Sequence, residues 1–123
     1  MMQKQESFDR FYAEFVTGGA LQCVDKKGGS CVYRNEEGKG CAIGIQPEFA
    51  AIYVGEMESN GINALYHACE AVRAIIRRED LDFFSDLQEL HDGELLYGGA
   101  RFASAIREFA TQYNMQIPVE VQA

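Results

Sequence analysis

Basic residues, long apolar runs and proline are scarce in this chain of 123 residues, and tryptophan is missing altogether. Lys and Arg together number 11 against 19 Asp and Glu, a formal net charge of −8. Nucleic-acid binding of the usual kind neutralises phosphates with cationic side chains, so direct nucleic-acid binding is not expected. No apolar run is long enough to cross a bilayer, and MMQKQESFDR has no apolar stretch after its lysine. Neither a membrane span nor a signal peptide is expected, and the chain is read as cytoplasmic. Only two prolines, with six Tyr, eight Phe and 24% charged residues, argue against a disordered tail.

What is present is 47% hydrophobic content. At this length that suffices to bury roughly two-thirds of the unfolded surface, so residues 1–123 are read as a single domain. Cys23, Cys31, Cys41 and Cys69 are expected to stay reduced and to behave as buried thiols.

Phe8, Phe11, Tyr12, Phe15 and Val16 fall at helical spacing over residues 6–17, ending at Gly18 and Gly19. Residues 20–46 switch to short apolar runs broken by glycines, with turns at Lys27-Gly28-Gly29 and Glu36-Glu37-Gly38. That pattern predicts a two- or three-stranded antiparallel meander. With Gly38 left-handed, Tyr33 faces Cys41 and Cys31 faces Ile43, which places Cys31, Tyr33, Cys41, Ile43 and Ile45 on one buried face.

Four helices are predicted to follow. The first runs from Pro47 through Tyr53. The second is capped by Asn60 and reaches about Arg78, with Ile62, Leu65, Cys69, Val72 and Ile76 inward. A third spans Leu81 to His91 and stops at Gly93, and the last spans Ala100 to Tyr113. The expected fold class is α+β, a small antiparallel sheet packed against four or five helices.

The acidity is local. Glu79, Asp80, Asp82, Asp86, Glu89, Asp92 and Glu94 lie within sixteen residues that contain no Lys or Arg, and carry −7 of the −8. Asp82, Asp86 and Glu89 share a helix face opposite Phe83, Phe84, Leu87 and Leu90. That face reads either as a solvated surface or as a docking site for a basic partner, with Asp82, Asp86, Glu89 and Asp92 as the binding residues.

Constellations for chemistry are weak. Gly38-Lys39-Gly40-Cys41 lacks the spacing of a phosphate loop, and the glycines at 38, 40 and 44 miss the dinucleotide fingerprint. No Cys-x-x-Cys pair occurs, so no metal and no cofactor is expected. A thiol hydrolase would need Cys41 with His91 and Asp92 or Gln88. Cys41, however, falls on an apolar strand face without a cationic neighbour to lower its pKa. His91 is read instead as a half-buried residue closing its helix, and His67 as an exposed one.

Cys31-Val-Tyr33, Gly38 and Cys41-Ala42-Ile43-Gly44, followed by Leu87-Gln88-x-x-His91-Asp92, resemble the pattern of a group of small uncharacterised phage and bacterial proteins. That pattern reads C-x-Y-x(4)-G-x-x-C-A-x-G and then L-Q-x-x-H-D. The resemblance implies a hairpin packed against a helix whose His-Asp end faces the sheet. It brings no activity, and the downstream Trp of some members has no counterpart here. A phage setting implies a host-cytoplasmic, host-directed or anti-defence role. The leading expectation is a non-catalytic accessory protein that binds a host macromolecule, a protein with a basic surface, through the acidic helix. The alternatives are a hydrolase using Cys41 and His91, and a small-molecule binder with a pocket between sheet and helices.

Overall fold

Apolar residues three and four apart commit the two ends of the chain to helices that meet in the core. A computed structural model describes residues 1–24 and 31–118. Helix α1 (Lys4–Phe11) continues into wider π turns over Tyr12–Thr17, which close with Gly18 N–H on Ala13 O at 2.7 Å. Helix α5 (Leu81–Glu89) continues likewise through Leu90–Glu94, and α6 (Gly99–Tyr113) ends at a left-handed Asn114. Phe8 stacks on Phe109 at 5.7 Å, Phe11 meets Phe102 edge-on, and Phe83 packs on Phe109 at 5.1 Å. These three helices form the aromatic half of the core.

The other half is built from shorter pieces: α2 (Pro47–Ile52), α3 (Ile62–Ala68) and α4 (Glu70–Arg73), with single 3-10 turns at Gly55–Met57 and Arg78–Asp80. Phe49 of α2 is fully buried and packs on Tyr33 at 5.0 Å. The single helix expected from Asn60 to Arg78 is divided. Cys69 is extended (φ −126°, ψ 115°), and its carbonyl accepts from the N–H groups of Val72 and Arg73 to start α4. Gly61, not Asn60, holds the cap position of α3. Ile62, Leu65, Val72 and Ile76 are nonetheless buried. Gly93 does not stop α5, because the π turn carries the chain through it to Glu94.

The expected α+β class is corrected by the structure: the described residues are all-helical, with no strand or sheet, only two isolated antiparallel bridges, Val24 with Cys31 and Arg34 with Gly40. The turn itself follows the expected register, with Gly38 left-handed (φ +79°) and Cys41 N–H bonded to Tyr33 O at 2.9 Å. It fails to lengthen because the backbone of the would-be second strand is spent locally. Ile45 N–H bonds Cys41 O, and Gln46 N–H bonds Ile43 O, both at 3.0 Å, curling residues 41–46 into the start of α2. Gly44 makes this approach feasible, since a Cβ there would lie 1.9 Å from Tyr33 O. Cys31 therefore never faces Ile43. It pairs with Val24 and is exposed, while Tyr33, Cys41 and Ile43 are buried. The turn expected at Lys27-Gly28-Gly29 lies outside the described residues.

Candidate functional site

The end of α5 is where the loop layer meets the helices, and its polar side chains are fixed from several directions. His91 is fully buried in the π turn and packs edge-on against Phe15, ring centroids 4.9 Å apart. Its Nε2 accepts the backbone N–H of Cys23 at 3.0 Å, and its Nδ1 lies 2.8 Å from Asp92 Oδ1. An amide can only donate, so the ring proton sits on Nδ1 and is shared with the carboxylate. Gln88 donates to the same Asp92 oxygen at 2.9 Å, while its own carbonyl oxygen accepts Ile43 N–H at 3.3 Å. Gln22 donates to the carbonyls of His91 and Asp92, at 2.9 and 2.8 Å, which the widened turn would otherwise leave open.

This arrangement accounts for the sequence pattern residue by residue. Cys31, Gln88, His91 and Asp92 meet in one hydrogen-bonded network, Tyr33 and Cys41 form the turn's closing pair, and Leu87 is fully buried in the core. The His-Asp end of the helix faces a curled loop where a sheet was expected. Buried polar networks that are fully satisfied specify one packing and penalise others, and this one ties residues 22–46 to α5.

Cys31 Sγ, a His91 nitrogen and an Asp92 oxygen lie within 4.8 Å of one another, the spacing of a metal site. Their hydrogen bonds do not suit one. A metal on Nδ1 would move the ring proton to Nε2, where it would point at the Cys23 N–H. The thiol is also ill-suited to ligation: partial desolvation and the neighbouring Asp92 carboxylate push Cys31 up to about 11.

The residues named for hydrolysis are placed as follows. Cys41 is fully buried, its sulfur accepts the Gly44 N–H at 3.3 Å, and desolvation pushes its thiol up to about 12. His91 and Asp92 are hydrogen-bonded to each other, but the thiol against Asp92 belongs to Cys31. A general base needs a free lone pair, and that of His91 is occupied by an amide. His67 is exposed, against the ring of Tyr66.

The acidic segment divides into used and unused charges. Asp80 is buried, with Lys4 and Arg77 each 3.9 Å away, and Glu94 pairs with Arg101 at 3.0 Å. Asp86 accepts the Tyr113 hydroxyl, and Asp92 belongs to the network above. Glu79, Asp82 and Glu89 are exposed, with no cationic partner among the described residues.

Two residues that the sequence pattern did not single out also hold the loop layer. Glu58 accepts the N–H groups of Tyr33 and Arg34 and the hydroxyl of Tyr53. Gln46, fully buried, donates to Ser7 O and Ala42 O. Neither shows a local signal, because every partner except Ala42 and Tyr53 lies far along the chain. Between this layer and α5 lies a cleft of about 280 Å³ lined by Cys31, Tyr33, Glu58, Ser59, Glu89 and Asp92, among others.

Fold and site together define a small helical protein whose loop layer is fastened by a His-Asp-Gln network. No protein-family model, curated protein or solved structure matches the chain. No helix of the described residues is long and apolar enough to cross a membrane.

Proposed function

We propose that the chain is a non-catalytic binding protein in which the face of α5 bearing Asp82, Asp86 and Glu89, with Asp92 at its end, engages a basic surface on a partner protein. The phage-type sequence pattern makes a host component the partner, within the host cytoplasm. One observation carries this reading: the acids of residues 79–94 leave Asp82 and Glu89 exposed and unpaired beside a network that leaves His91 no free nitrogen. Unpaired surface carboxylates of one sign attract and orient a cationic partner at little cost to the fold.

The structure also selects the variant to use. Asp86 and Asp92 hold internal hydrogen bonds, so reversing them would confuse binding with folding. Asp82→Lys combined with Glu89→Lys alters exposed positions only. In affinity purification from the host, the wild-type chain is expected to retain a basic protein at low salt and to lose it as salt rises past the range where the Debye length falls below about 8 Å. The double variant is expected to melt like the wild type and capture far less of that protein. Equal capture by the variant, or capture indifferent to salt, overturns the proposal.

A further inference from the structure

Helices α5 and α6 leave a groove of about 300 Å³ between them, distinct from the cleft beside Cys31. Its floor is formed by Leu90 and Phe109, both almost fully buried. Asp86 and Glu89 line it from α5, Glu108 from α6, and Glu94 from the π turn, with no Lys or Arg among the lining residues. We infer that this groove is the docking site for an arginine-bearing amphipathic segment of the basic partner, an inference that rests on the binding role proposed above.

Charge complementarity and shape favour this occupant over others. An arginine side chain carries an apolar stem and a cationic, multidentate head, which match an apolar floor bordered by carboxylates. Glu89 and Glu108 are exposed and approach from opposite helices, and neither has an ion pair among the described residues. In the groove Asp86 holds the Tyr113 hydroxyl and Glu94 pairs with Arg101, which leaves Glu89 and Glu108 free among the described residues, one on each helix. In the cleft beside Cys31, by contrast, Glu58 accepts three donors and Asp92 is held by His91 and Gln88, which leaves Glu89 alone. The groove is near the lower end of ligand-pocket sizes, about 300 Å³, which suits one or two inserted side chains of a larger partner.

The test uses the full chain, isotope-labelled for NMR, and a short peptide with arginines on one helical face and leucines on the other. A second peptide carries citrulline at every arginine, which keeps the shape and removes the charge. The arginine peptide is expected to shift the amides of Leu90, Glu108 and Phe109 at low ionic strength, and the citrulline peptide is not. Glu108→Lys, on α6 and outside the acidic segment, is expected to weaken binding about tenfold. Glu70→Lys, an exposed position on α4 that neither lines the groove nor belongs to the acidic face, is expected to change it less than twofold. Equal binding of the citrulline peptide, or no shift at the groove with millimolar arginine peptide, overturns the inference. If Asp82→Lys, which does not line the groove, weakens binding as much as Glu108→Lys, the groove assignment falls while the acidic-face reading stands. Undiminished partner capture by the Asp82→Lys, Glu89→Lys variant removes the reading itself.

Discussion

His91 shows how one side chain can hold two parts of a fold. One nitrogen receives the amide of Cys23, 68 residues earlier in the chain, and the other is hydrogen-bonded to Asp92. Replacing it with Phe keeps an aromatic ring against Phe15 but orphans the buried Cys23 N–H and removes one of the donors to Asp92 Oδ1, which keeps its bond from Gln88. His91→Phe is therefore expected to cost about 2–4 kcal/mol, read as a lower denaturant midpoint. A midpoint equal to the wild type's would show that these hydrogen bonds are worth no more than those to water. The sequence placed His91 on the apolar side of its helix near the end, because periodicity reports which face a residue occupies. It expected a half-buried ring donating to the helix carbonyls. The actual partner is an amide on a distant segment, which no local pattern encodes, and Gln22 caps the carbonyls instead.

At the scale of elements, the segment from Tyr33 to Gln46 decides the fold class. Its alternating apolar residues and its turn are those of a hairpin, and the turn forms in the expected register. What prevents a sheet is a competition for the backbone groups of residues 41–46. Two local turns and the Gln88 side chain take the hydrogen bonds that a ladder would use. Gly44 is the pivot of that competition, so Gly44→Ala is expected to destabilise the protein by about 2–4 kcal/mol, since its methyl group would overlap the Tyr33 carbonyl. Gly55→Ala meets open space and is expected to be neutral or to stabilise by up to about 1 kcal/mol. Thermal melts of the two variants provide the comparison, and similar losses in both would show that the close approach at Gly44 is not needed. The long helices were legible because α1, α5 and α6 bury continuous stripes. The break at Cys69 was not, since the apolar row continues through it and only the backbone turns.

For the whole molecule, the thiols make stability depend on alkaline pH. Desolvation holds Cys41 up to about 12 and Cys23 up to about 11, against 9.0 for the free thiol. The folded chain thus keeps protons that the unfolded chain has lost at the same pH, and the unfolded state binds fewer of them. Stability from this source is intact below pH 9.0 and falls as pH rises toward the folded values. Denaturant midpoints are expected to fall from about pH 9 to about pH 11, and the fall is expected to be shallower in Cys41→Ala. An identical slope in that variant would place the alkaline sensitivity elsewhere.

Charge is the other property of the whole chain. The sequence located it in residues 79–94, and the folded state then sorted it into buried, paired and free carboxylates. By itself the sequence determined the amphipathic helices, the left-handed Gly38 turn and the position of the acidic segment, because each follows from spacing within a few residues. Only the tertiary structure decided that the loop layer curls instead of pairing, that Cys31 and not Cys41 meets Asp92, and that Glu89 and Glu108 border one groove. Those outcomes depend on which distant groups compete for the same hydrogen bonds and which helix faces come together, and neither is written in local periodicity.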